Sequence, residues 1–264
     1  MRLPPLALLA TLASACTCQP EDGWPHAEDA RWRAVLDPTG AHGTGQGSEP
    51  VVLLEPGDTD GQEALAVGYH GAQRGPLGPA PAIWAPCAEP GLPRGMWAAG
   101  IAAAPEHAGL AWLGTGDEVK VPRPPANPAA TVALAQESLR ALAAPGAPVD
   151  APQAAVRSVL KLRRPHAPPL LLAVGDADCR GFVALLDEQG QALASDEITL
   201  PGPSCAPLAA MPPADLDGDG HLEVALRAGN GEPGVGVLRA VLRLEVEPPT
   251  LTRVWHRELT LSCP

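Results

Sequence analysis

Asp215, Asp217 and Asp219 stand at alternate positions and are followed by Glu223, within the run "DLDGDGHLE" at 215–223. Calcium is held by about six to eight oxygen ligands, and carboxylates on alternate residues of a tight loop can turn inward together to supply them. Without a cation such a set of anions repels itself. Gly218 and Gly220 interrupt the acids and give the backbone the freedom that so tight a turn requires.

The spacing decides which kind of calcium loop this is. An EF-hand takes its bidentate Glu from position 12 and sits between two helices. Counted from Asp215, position 12 is Leu226, which has no oxygen to offer. Pro212 and Pro213 break any helix on the upstream side. Downstream, Leu222, Val224 and Leu226 alternate with Glu223, Ala225 and Arg227, which is the period of a strand. The loop therefore runs directly into β structure.

In that form the residues resemble the FG-GAP/VCBS repeats, the blades of integrin-alpha-like β-propellers. The hallmark of those repeats is Asp-x-Asp-Gly-Asp-Gly-x-x-Asp/Glu ahead of an apolar strand, and 215–223 matches it at every marked position. The resemblance implies Ca2+ as cofactor. It further implies side-chain oxygens from Asp215, Asp217 and Asp219, the carbonyl of His221 and the carboxylate of Glu223, with the His221 ring a bystander. It covers the loop and the strands around it, not the whole chain, and the Phe-Gly and Gly-Ala-Pro signatures of the family are not in place. A loop without a position-12 Glu is expected to bind in the weak extracellular range, on the order of 10⁻⁴ M.

A second stretch, "GDTDGQEALAVG" at 57–68, places Asp58, Asp60 and Glu63 ahead of a strand. It is shorter and lacks one aspartate, and is read as a degenerate copy of the metal loop. "VGDADCRG" at 174–181 follows a strand and reads as a hairpin turn.

These loops need elements to hold them. From residue 51 onward short apolar runs alternate with Gly, Pro and Asp clusters, the pattern of strands and turns. Strands are expected around 51–55, 63–70, 97–104, 109–114, 169–175, 181–187, 221–228, 235–246 and 251–259. A helix is expected over 127–145, with Asn127 as cap, Pro128 in the first turn, and Val132, Leu139 and Leu142 on one face. "AEDARWRAVLD", within 27–37, reads as a short helix, and "APQAAVRSVLKL" as a second helix or a strand. Strand-turn starts near 64, 109, 170 and 221 recur at intervals compatible with propeller blades. The fold class is thus mainly β, propeller-like or another β-repeat architecture with one or two short helices, over residues 51–264.

"MRLPPLALLATLASAC" has a basic start, an apolar run and small residues before Cys16, the layout of a secretory signal peptide over 1–15. The cysteine makes the stretch resemble a bacterial lipoprotein signal, although Ala13 stands where that family usually has Leu. The resemblance implies acylation of Cys16 and a membrane anchor, with residues 16–50 as tether or edge. Cleavage by ordinary signal peptidase at the same bond is the alternative. Thr17 would suit outer-membrane sorting, and otherwise the chain is periplasmic or extracellular. Export permits disulfides, and Cys179 with Cys205 is the expected pair.

A net charge of −12 disfavours nucleic acid as a partner, since phosphate would be repelled. HExxH, a Walker-type glycine loop and Gly-x-Ser-x-Gly are all missing from the sequence. A non-catalytic surface binder or scaffold with a protein or glycan ligand is expected, and a secreted calcium-dependent hydrolase or lyase on a β scaffold is the alternative. With one Phe and one Tyr, the six Trp are expected to carry much of the core.

Overall fold

The computed structural model describes residues 31–36, 51–53, 58, 61–68, 71–78, 98–101, 109–114, 127–144, 154–164, 166–202, 205–229 and 236–260. Those residues are mainly β and form three antiparallel sheets and one helix.

The first sheet takes β1 (Trp32–Leu36), β2 (Val51–Leu53), β3 (Glu63–Gly68), β4 (Gly71–Gly78), β5 (Ala98–Ile101) and β6 (Leu110–Leu113). Its order, β1-β2-β5-β4-β3-β6, closes on itself because β1 also pairs with β6. The expected short helix over "AEDARWRAVLD" is corrected here: its apolar end is β1. Trp32, Ala34 and Leu36 belong to one core cluster while Val35 belongs to another, the two-residue alternation of a strand. Partners on both sides, Val52 opposite Val35 and Trp112 opposite Trp32, supply ladders that a single turn of helix could not match. Part of the expected tether, 16–50, is therefore a fully buried strand.

The second sheet is a meander of β7 (Ala155–Leu162), β8 (Leu170–Ala177), β9 (Arg180–Leu186) and β10 (Ala192–Thr199). "VRSVLKL" is thus strand, not a second helix. The third is a meander of β11 (Ala209–Ala210), β12 (Leu222–Ala228), β13 (Gly236–Val246) and β14 (Pro249–Thr260). Of the four expected repeat starts, those near 170 and 221 open the second strands of these two meanders. Those near 64 and 109 fall in β3 and β6, which are neighbours in one six-stranded sheet. The starts are unevenly spaced, and strand pairing merges two of the units into one.

Helix α1 (Ala129–Ala143) lies where the sequence placed it. Pro128 takes the cap position and Asn127 does not cap; its amide donates instead to the Val159 carbonyl on β7. Ala135, Leu139 and Ala143 face the second sheet and pack with Leu171, Ala173, Phe182 and Ala184. Ser138 ties the helix to the β9–β10 turn by donating to the Gly190 carbonyl at 2.7 Å.

The third sheet is central. One face shares a core with β1, β3 and β6 through Ala225, Val237, Val241 and Trp255, and the other shares a core with the second sheet through Val224, Leu226, Leu238 and Leu242. Trp32, Trp112 and Trp255 are buried in the first of these cores, the role expected of the tryptophans, with the Trp32 and Trp112 ring centroids 4.9 Å apart and the rings tilted by 55°. Trp24, Trp84 and Trp97 lie outside the described residues. The fully buried Arg239 on β13 donates to the carbonyls of Val35, Ala228 and Leu238, and so links the third sheet to β1. Cys179, in the β8–β9 turn, is joined by a disulfide to Cys205, with Cα atoms 4.9 Å apart. Cys16, Cys18, Cys87 and Cys263 lie outside the described residues.

Candidate metal centre

The 215–223 loop joins β11 to β12 and is pinched at its base. Ala214 and Glu223 exchange both backbone hydrogen bonds, at 2.7 and 3.1 Å, as an isolated antiparallel bridge. Met211, Ala214 and Leu216 are buried in the core beneath.

Within the loop the acids order the backbone. Asp215 accepts from the amides of Gly218 and Gly220 at 2.8 and 3.0 Å, which fastens the turn around one carboxylate. Asp217 accepts from the amide of Asp219, and Asp219 from that of His221. Gly218 and Gly220 have φ of 78° and 88°, where an L side chain is strained, so the turn needs glycine at both places.

Asp215, Asp217 and Glu223 each bring a carboxylate oxygen within 4.8 Å of the other two, and this cluster can hold a metal ion. Glu223 is fully buried. Its Oε2 accepts from the Leu216 amide at 2.8 Å, while its Oε1 is buried with no hydrogen-bond partner. A buried carboxylate oxygen without a partner is costly, and a cation in the cluster would satisfy it. Burial, reinforced by the charges of Asp217, Asp219 and Asp215, pushes the Glu223 carboxyl up to about 8 in the metal-free protein, against the pull of the Leu216 amide. Burial also raises Asp217, and the charge of Asp219 adds to it, while the Asp219 amide and Arg243 oppose it.

The other two expected ligands are Asp219 and the His221 carbonyl. Asp219 Oδ2 is 2.7 Å from Nη2 of Arg243, and its carboxylate stands outside the three-acid cluster. His221 is exposed. Arg243, on β13, was not singled out by the sequence. Antiparallel pairing sets it directly opposite Glu223, and only that register reveals it.

The 57–68 stretch has another fate. The Asp58 carboxylate is gripped on both oxygens by Arg33 of β1, at 2.7 and 2.8 Å, and both side chains are nearly buried. Glu63 is exposed at the start of β3, and Asp60 lies outside the described residues.

Comparisons with protein-family models, with curated proteins and with solved structures gave no match. Fold and site define the class: a mainly β protein of three antiparallel sheets with one carboxylate cluster, among the described residues, able to hold a metal ion.

Proposed function

We propose that this chain is an exported, lipid-anchored, non-catalytic β-repeat protein in which calcium pins the 215–223 loop, and that it serves in binding or scaffolding at the cell surface. The observation that carries the calcium reading is the orphaned, buried Oε1 of Glu223 beside Asp215 and Asp217. An all-oxygen set suits a hard cation. Calcium tolerates irregular geometry, whereas magnesium demands a near-ideal octahedron.

A structural role follows from where the loop is attached. Calcium would neutralise the acids and fix the entry to β12, whose two faces feed both large cores. A scaffold stabilised in this way presents its outer loops to a protein or glycan ligand. The Cys179–Cys205 disulfide supports an oxidising compartment, as the signal-like N-terminus and Cys16 do.

Thermal unfolding with calcium and with chelator tests the metal. At a calcium concentration a hundredfold above Kd, binding is expected to add about 2.7 kcal/mol to stability, seen as a Tm raised by several degrees. Asp217→Ala is expected to abolish that rise. A wild-type Tm indifferent to calcium would remove the proposal.

A further inference from the structure

Arg243 bears on the same cluster from outside the loop. Its Nη2 is 2.7 Å from Asp219 Oδ2 and 3.9 Å from Asp217 Oδ2, and its Nε is 3.9 Å from Glu223 Oε1. Only the first of these is a hydrogen bond, since the others exceed donor–acceptor reach. The Nε donor and the Glu223 Oε1 acceptor are both buried, both without hydrogen-bond partners, and face each other across that gap. One guanidinium thus stands beside three of the four loop carboxylates and is bonded to one.

Two consequences follow from charge and geometry. With no metal bound, Arg243 is the cation that offsets part of the repulsion among the acids, and through Asp219 it ties the loop to β13. With a metal bound, the same positive charge sits a few ångströms from a divalent ion and repels it. It also engages Asp219, the acid that the motif would otherwise commit to the ion. Both effects weaken metal binding.

Resting on the calcium reading above, we infer that Arg243 is a built-in counter-cation: it holds the metal-free loop in shape, draws Asp219 away from the metal, and sets the calcium affinity. It is a positioning and tuning residue, with no part in ligating the ion. Glutamine at this position keeps a long polar side chain on β13 and removes the charge, and lysine keeps the charge without the planar fork.

The test is calcium titration by calorimetry on the full chain, as wild type, Arg243→Gln and Arg243→Lys, with melting in chelator run alongside. Arg243→Gln is expected to bind calcium about tenfold more tightly, the size of effect that one unit charge exerts on a divalent ion at this range near a surface. The same variant is expected to melt lower in chelator, so its calcium-dependent rise in Tm widens. Arg243→Lys is expected to fall between the two. If Arg243→Gln cannot fold without metal, it is prepared in calcium and its affinity read by competition with a chelator of known affinity. Equal or weaker calcium binding by Arg243→Gln overturns the role of Arg243 and leaves the calcium site standing. No calcium binding by any of the three proteins overturns both.

Discussion

Asp58 and Glu223 are both carboxylates buried beside an arginine, at the ends of two loops whose sequences look related. At Asp58 both acid oxygens are taken by the Arg33 guanidinium at hydrogen-bond distance. At Glu223 one guanidinium stands beside three of the four loop acids, bonds to Asp219, and is 3.9 Å from the buried oxygen. The Asp58 carboxylate is answered by the chain itself. The second loop is left with an excess of negative charge that a divalent cation would offset. The contrast teaches that the number of aspartates in a loop does not set its need for metal. What matters is how many are answered by cations that the fold brings to them.

Breaking the Arg33–Asp58 pair gives the largest effect. Asp58→Ala removes the carboxylate that holds two donors of the nearly buried Arg33 and is expected to cost about 3 kcal/mol, measured by urea unfolding in calcium and in chelator alike. Calcium affinity should stay at the wild-type value. A loss of calcium binding in that variant would erase the distinction between the two loops.

Glu223→Gln acts on the unbalanced site. Losing one anionic ligand is expected to weaken calcium binding on the order of a hundredfold, read by calorimetry. Its stability in chelator should match wild type at acid pH, below the ordinary carboxyl value of 4.5, and exceed it at neutral pH. The reason is that the folded, metal-free Glu223 carboxyl, pushed up to about 8, keeps at neutral pH a proton that the unfolded chain gives up, a cost that glutamine does not carry. A large loss of stability without calcium would show that the Glu223 charge supports the fold by itself.

A smaller effect separates the sites by pH. In chelator the folded state keeps the Glu223 proton that the unfolded chain releases near its ordinary value of 4.5. Stability from this group is therefore present at acid pH and lost as pH rises from that value through about 8. Calcium binding must displace the proton, so affinity should climb with pH over the same interval. Urea midpoints at several pH values, for wild type and Glu223→Gln, are expected to diverge in chelator as pH rises between those limits and to be furthest apart at the upper one. Parallel curves would assign the pH dependence elsewhere.

Much of the fold was legible because its strands advertise themselves. β8, β9, β12 and β13 are apolar runs bounded by Gly, Pro or Asp, and the pattern placed each to within a residue or two. β4, with the sequence GAQRGPLG, carries no such signal and is held as a strand by β3 and β5 on either side. β10 is equally quiet, since it lies at an edge and is mostly exposed. β1 was misread because five residues are too few to separate a strand from a helical turn by periodicity alone. In the site, Asp215, Asp217, Asp219 and Glu223 were read from spacing, and the spacing gave no sign of Arg243 beside Asp219.

The sequence by itself determined that 215–223 is an acidic loop running into a strand, because ligand spacing and strand alternation are local properties. It placed a helix over 127–145, within which α1 runs from Ala129 to Ala143, for the same reason. Only the tertiary structure decided which acids converge and which are answered. Arg33 and Asp58 are 25 residues apart, and Arg243 lies on another strand from Glu223. Strand register and sheet packing brought those charges together, and charge balance in a buried site is a property of everything the fold places around it.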